Sequence, residues 1–227
     1  ARSRVGNFPA IMATFPAGVL ADEIETPGPG QVRAMFVSAG NPLLSCPDES
    51  RMRRAFGNLD LLVSVDMFRN ETGNLADYIL PATSFLERPD LPLSAQGLAT
   101  EPSAQYSEAV VEPAGKSRDE WWIYRQLARA CKAPFFGSRA MEASLRAAEV
   151  CGRIPGLKRV VPKDGSGLLR GIVGLSRLVS MRQLRNNPSG VSLRVDTTGQ
   201  LQKNRLLTPH GQVALAPAAI ANRAAQE

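Results

Sequence analysis

Cysteine and histidine are nearly absent: the 227 residues hold three cysteines, Cys46, Cys131 and Cys151, and one histidine, His210. Three scattered cysteines with no CxxC pair build no disulfide framework, and they offer neither a zinc site nor an iron–sulfur ligand set. A hydrolase triad is equally unsupported, because His210 sits in a turn-forming stretch near the C-terminus and no GxSxG elbow occurs. Long apolar runs are missing too. LLVSV at 61–65 and GIVGL at 171–175 fall far short of the ~20 residues a membrane span needs. Prolines and polar residues break up the N-terminal stretch before the apolar core of a signal peptide can form. The expectation is a cytoplasmic location without a membrane span. No internal repeat is present, which removes solenoid folds.

What is present is an ordinary globular composition, 44% hydrophobic and 21% charged, enough for one large domain or two small ones. The first residue is Ala1 rather than Met, and the expectation is a piece of something longer. The net charge of +6 hides an asymmetry: residues 1–120 carry 10 Lys+Arg against 16 Asp+Glu, whereas residues 121–227 carry 17 against 5. A basic half of this kind packs on an acidic surface, meets a phosphorylated ligand or faces nucleic acid. Arginine outnumbers lysine 22 to 5, and planar guanidinium forks suit ion pairs and phosphates.

Residues 1–32, rich in proline and glycine and ending in TPGPGQ, read as an extended arm. AMFVSAG at 34–40 reads as a buried parallel strand closed by a glycine. A helix follows, capped by Asp48, with Met52, Ala55, Phe56 and Leu59 at helical spacing. LLVSVD at 61–66 is a second strand and YILPA at 78–82 a third. This alternation predicts an α/β fold with a parallel sheet flanked by helices. The stretch from Glu87 to about Val110 is too long for a simple connector and is expected to carry function or cover a ligand. Asp119 or Ser117 caps a helix presenting Trp121, Tyr124, Leu127, Ala128 and Cys131 on one face. Beyond Gly137 the chain turns basic and mainly helical over 138–204, with Leu168, Ile172, Leu175 and Val179 as the stripe of one helix. RLLTPHGQVALAP at 205–217 reads as two short strands around a turn.

Open parallel sheets bind ligands at the carboxyl ends of their strands, where loops and helix N-termini converge. Four places qualify. Gly40, Asn41 and Pro42 follow the first strand: the glycine lets a ligand approach, the asparagine donates and accepts, and the proline fixes the turn. Val65 and Asp66 end the second strand, where a carboxylate accepts from a ribose hydroxyl or a base edge. Thr83 to Arg88 follow the third strand, with Arg88 placed for a phosphate, and Asp119 opens a helix. Each has a structural alternative: a turn, a cap, an ion pair with Glu87 or Asp90, and a second cap. GSGLLRG at 165–171 matches a dinucleotide fingerprint only loosely, since its last glycine falls one residue late. Readings outside the rim are a free-standing nucleotide-binding module and a nucleic-acid binder using 139–205, the latter disfavoured by the lack of interleaved aromatics.

The run from AMFVSAGNPLLSCPDES through VSVDMFRNETGNLADYILPATSFLER to KSRDEWWIYRQLARA resembles the cofactor-binding segment of the molybdopterin oxidoreductases, the superfamily of dimethyl-sulfoxide reductase, formate dehydrogenases and nitrate reductases. The resemblance covers about residues 1–135 and rests on the GNP turn, a strand ending in Asp, ET followed by ADYILPA, and an acidic then a basic residue. It implies a Rossmann-like domain at 33–137 that holds one of two molybdopterin guanine dinucleotides on molybdenum or tungsten. On this resemblance Asn41 touches the nucleotide, and Val65 and Asp66 meet the guanosine. Thr72 lines the same pocket, Arg88 approaches the pyrophosphate or ribose, and Asp119 accepts from guanine. It further implies that any iron–sulfur cluster belongs to an N-terminal part outside this chain. Residues 205–227 would lead into a C-terminal barrel, and the partners would be the remaining domains and electron-transfer subunits. No catalytic residue is expected within these residues.

Overall fold

The computed structural model describes residues 1–11, 14–92, 102–134, 137–140, 142–143, 146–147, 166–193, 212 and 215. The expected strands around a C-terminal turn, at 205–217, lie outside the described residues apart from isolated positions. The segment expected as an extended arm instead contributes helix α1, Leu20–Glu25, after a short 3-10 turn at Ala17–Val19. Ile24 and Ala21 of α1 are buried in the same cluster as Met52, Ala55 and Phe56. The prolines and glycines that suggested an arm flank this helix; they do not occupy it. Arg51 ties the two segments, donating to Asp22 at 2.5 Å and to Glu25 at 2.9 and 3.0 Å.

Strand β1 (Ala34–Ser38) leads through α2 (Pro42–Ser45) and α3 (Glu49–Gly57) to β2 (Leu61–Asp66), and α4 (Glu71–Leu75) joins β2 to β3 (Tyr78–Pro81). Asp48, in the left-handed region at φ 58°, caps α3 by accepting from the Arg51 amide at 3.0 Å. The sheet is parallel, in order β1-β2-β3, with Ser38 beside Val65 and Val65 beside Leu80. Parallel strands need crossover connections, and the helices that cross bury one face. On that face Val37 and Leu62 pack with Met52 and Phe56. Helix α5 (Glu120–Ala130) covers the opposite face, where Ile123 packs with Val63, Val65 and Ala82, joined by Leu80, Tyr124 and Leu127.

Central β2 is buried over four consecutive residues, as a strand covered on both faces should be. β1 differs from the expected buried strand. It is an edge strand, and Phe36 remains 47% exposed because α5 covers the β2 and β3 side of its face. In α5 itself, Ile123 is the most deeply buried apolar residue and Cys131 is exposed.

A second small core lies beyond the sheet. β4 (Ser103–Ala104) pairs antiparallel with β5 (Val191–Ser192), and Leu91, Ala104 and Tyr106 pack on helices α6 (Ser166–Ser176) and α7 (Met181–Asn186). The described ends of the long 87–110 stretch are therefore tied down by the basic C-terminal half. Tyr106 donates to Glu108 at 2.9 Å, and Arg185 donates to the same carboxylate at 2.8 Å while lying over the Tyr106 ring. Within α6 the predicted stripe is off by one position, since Leu169 and Val173 face this core and Leu175 is 86% exposed, whereas Val179, past the helix end, packs on the core as expected. A helix apolar on nearly all sides leaves its inward face to tertiary packing.

Candidate functional site at the strand ends

The carboxyl ends of β1, β2 and β3 form one rim with the N-terminus of α5. Backbone bonds close it: Ala39 donates to the Val65 carbonyl at 2.9 Å, Ala82 to Asp66 at 3.2 Å, Thr83 to Arg118 at 3.1 Å, and Arg118 to Pro81 at 3.0 Å. Residue 118 thus lies alongside β3 as a parallel bridge, which aims the first turn of α5 at the rim. Eleven residues long, α5 directs a positive dipole end there.

Asn41 is the N-cap position of α2, yet its side chain does not cap. Its carbonyl oxygen accepts from the Thr72 amide at 3.2 Å and the Thr72 hydroxyl at 2.7 Å, and its NH2 donates to Glu71 at 2.5 Å. Pro42 takes the first position of α2, where its missing N–H costs nothing. The conformational demand of the turn falls on Ala39, at φ 47°. A side chain at Gly40 would meet only ordinary contacts, at 3.6 Å and beyond. Gly40 contributes its carbonyl, which accepts from Asn70 at 3.3 Å.

Asp66 accepts from the Phe68 amide at 2.9 Å and from Asn70 at 3.1 Å. Asn70 also caps α4, accepting from Gly73 at 2.8 Å. One asparagine side chain therefore joins the turn after β1 to the end of β2. Asp119 caps α5 by accepting from Trp121 at 3.0 Å. Its neighbour Glu120 accepts from Ser38 at 3.3 Å, reaching the end of β1, and its other oxygen holds Arg88. Burial works to lower the Arg88 pKa, but the hydrogen bond and charge of Glu120, with Asp90 and Asp119 nearby, outweigh it, so the group is held more firmly protonated than usual. The carboxyl of Glu71 is held below its ordinary range, first by its own backbone N–H and then by the Asn41 amide.

Six of the eight expected residues, Gly40, Asn41, Pro42, Asp66, Arg88 and Asp119, stand on this rim. Asn41, Asp66 and Asp119 share it without hydrogen bonds to one another. The other two are placed differently from expectation. Val65 is fully buried, its side chain packed toward α5, since alternate strand residues point to opposite faces. Thr72 is also fully buried: its hydroxyl accepts from Leu43 N–H at 3.3 Å and donates to Asn41, so it braces the turn from behind. Ser38, Asn70 and Glu120 were not anticipated, whereas Thr83 opens the 83–88 stretch expected at the rim. An Asn directly before Glu-Thr at a helix start is a readable N-cap signal. Ser38 and Glu120 carry no local signature.

Two polar atoms at this rim are buried without partners: the Thr83 hydroxyl and Arg88 Nε. Buried polar groups are rarely left unsatisfied. Asp66 and Asp119 likewise keep free lone pairs, because a carboxylate offers about four acceptor sites and each uses one or two. The rim is rich in acceptors, with one helix N-terminus and one guanidinium. Open parallel sheets take ligands beyond the carboxyl ends of their strands, which makes this rim the candidate site.

The molybdopterin oxidoreductase family model matches residues 2–130, so the chain belongs to that family. Among similar proteins, acetylene hydratase of Syntrophotalea acetylenica is 38% identical over 122 residues, 54% of this chain and 16% of that protein. The thiosulfate reductase molybdopterin-containing subunit PhsA of Salmonella typhimurium is 32% identical over 108 residues, 48% of this chain and 14% of that one. Formate dehydrogenase H of Escherichia coli is 29% identical over 115 residues, 50% of this chain and 15% of that protein. The solved structure of acetylene hydratase from Pelobacter acetylenicus aligns with TM-score 0.46 and 35% identity over 50% of this chain and 15% of that chain. The matched region spans roughly one-sixth of these relatives' length. Among the described residues no helix is long and apolar enough to cross a membrane.

Proposed function

We propose that the rim holds the guanosine end of one molybdopterin guanine dinucleotide in a bis-dinucleotide molybdenum or tungsten centre, within a larger oxidoreductase. The observation that supports this reading is the hydrogen-bonding capacity left unspent at the strand ends, on Asp66, Asp119, the Thr83 hydroxyl and Arg88 Nε. Guanine presents two adjacent N–H donor groups and a ribose presents hydroxyls. Carboxylates are acceptor-only, and charge-assisted hydrogen bonds to them are the strong ones. The fit is to the guanosine end. Arg88 already shares its charge with Glu120, so a diphosphate would have to compete with a carboxylate for it.

When bound, the pterin and its metal supply the redox or oxygen-transfer chemistry. The residues of this chain bind and orient. Asp119 and Asp66 accept from the base or sugar, and Asn70 and Thr72 hold Asp66 and Asn41 in place. Residues 33–137 would form a Rossmann-like dinucleotide-binding domain, with α1 of the preceding segment completing its core. The other domains of the parent and its electron-transfer subunits would be the partners, and an iron–sulfur cluster would lie in them.

The experiment is titration of GDP and ADP into the chain, followed by fluorescence of Trp121 and Trp122 at the start of α5. GDP is expected to bind more tightly than ADP. Asp119→Asn is expected to abolish that preference while leaving α5 capped, since Asn caps a helix about as well as Asp. Equal binding of the two nucleotides, or an unchanged preference in Asp119→Asn, would count against the assignment.

A further inference from the structure

Past the C-terminal end of α5 lies a cavity of about 390 Å³, lined by Lys132, Pro134, Arg139, Glu142 and Arg146 with small apolar walls at Ala133 and Ala143. It is remote from the rim: the 11 residues of α5 separate them by about 16 Å at ~1.5 Å per residue. It also uses residues past position 130, where the family match ends. Among the described lining residues the charges do not balance. Their one acidic group, Glu142, is itself buried and already serves Arg146 at 3.0 Å and Arg129 at 3.8 Å. Arg146, with Arg125 and Arg129 nearby, holds the Glu142 carboxyl low, so it stays ionised and its charge is shared among these arginines. Among the described residues neither Lys132 nor Arg139 has a carboxylate partner.

Unneutralised cations around a concave wall focus positive potential into the space between them and raise the local concentration of anions. Two of the three lining cations are arginines, whose planar forks match phosphate oxygens. The volume falls within the ~300–1,000 Å³ of small-molecule sites and exceeds the needs of a lone chloride or a single water. Lys132 stands in the left-handed region at φ 54°, where the chain turns off α5.

We infer that this pocket is a second anion site, separate from the guanosine rim, and that it takes the phosphate or diphosphate group of a small phosphorylated ligand. Lys132 and Arg139 bind its oxygens. Arg146, fixed by Glu142, closes the third side, and Glu142 positions Arg146 without touching the ligand.

The probe is inorganic pyrophosphate, titrated calorimetrically into the full 227-residue chain at low salt. One pyrophosphate per chain is expected, bound about tenfold more weakly by the Lys132→Gln/Arg139→Gln double variant. Both positions are exposed and should fold normally; far-ultraviolet circular dichroism checks this, and Arg139→Glu alone serves if the double variant unfolds. Asp119→Asn is expected to bind pyrophosphate like the parent sequence, which separates this site from the rim. So is Arg33→Gln, which removes an exposed cation already paired with Asp60. The inference is overturned by non-saturable binding, by equal affinity in the Lys132/Arg139 variants, or by an equal loss in Arg33→Gln. A short DNA duplex that loads many chains and displaces pyrophosphate would also overturn it, since that marks a general polyanion surface.

Discussion

Thr72→Val isolates the brace behind the GNP turn. Valine keeps the volume and β-branching of threonine, so the helix and its packing are unchanged and only the hydroxyl is lost. That hydroxyl donates to Asn41 Oδ1 at 2.7 Å and accepts from the Leu43 N–H at 3.3 Å. Leu43 is fully buried, and a buried donor left unsatisfied costs ~1–3 kcal/mol. The 3.3 Å length places that loss at the low end. Asn41 keeps its bond from the Thr72 amide at 3.2 Å, so losing the second bond costs only about 0.5–1.5 kcal/mol. The sum is about 2 kcal/mol, equivalent to about 4–8 °C in Tm for a chain of this size. Urea unfolding followed by tryptophan fluorescence measures it. A cycle with Asn41→Ala tests whether the two residues act as a unit, with an expected coupling of at least ~0.5 kcal/mol. A Thr72→Val chain within about 0.5 kcal/mol of the parent, or strictly additive variants, would refute the reasoning.

Ile24→Ala tests whether residues 1–32 share the sheet domain's core. Ile24 is fully buried beside Met52 and Phe56, and the change should cost about 2–5 kcal/mol in the same unfolding assay, whereas an independent arm would show almost none. Glu87 accepts from the backbone N–H groups of Ser84 and Ala114, which hold its carboxyl below the ordinary 4.5. A depressed folded-state value contributes stability above the unfolded pKa that is lost as pH falls through the folded one. Thermal midpoints should therefore decline as pH drops below 4.5, and Glu87→Gln should flatten that decline; an unaltered acid limb contradicts the contact. Gly190 sits at φ 98°, where an added Cβ would stand 3.4 Å from the Ala104 carbonyl. Gly190→Ala should loosen the β4–β5 pairing and cost more than about 1 kcal/mol, measurable as lost amide protection at 103–104.

Much of the sheet domain was legible because its signals are local. LLVSVD reads as a strand over 61–66 and β2 spans Leu61–Asp66. Asp48 and Asp119 cap the helices they were assigned to. The errors have one physical origin, in that the partner of each surface is far away in sequence. β1 has the composition of a buried strand but lies at an edge, and nothing between 34 and 40 encodes that α5 stops short of Phe36. The inward face of α6 is Leu169 and Val173 because the 102–108 segment packs there. At the rim, residue types were readable and orientations were not. Val65 precedes Asp66, and strand alternation turns its side chain into the α5 face of a strand buried on both faces, whereas Asp66 stands at the strand end. Arg88 looked placed for a phosphate, but its partner Glu120 lies 32 residues away and becomes a neighbour only through the bridge between Ala82 and Arg118.

The central claim is that Asp66 and Asp119 grip a guanine-bearing tail. Acid hydrolysis of the purified parent enzyme releases GMP from any guanine dinucleotide it holds, and chromatography counts GMP per protein. Asp66→Ala and Asp119→Ala are expected to lower that count relative to the parent and to Arg33→Ala, in step with lower pterin and metal content. Full GMP content in both aspartate variants would contradict it.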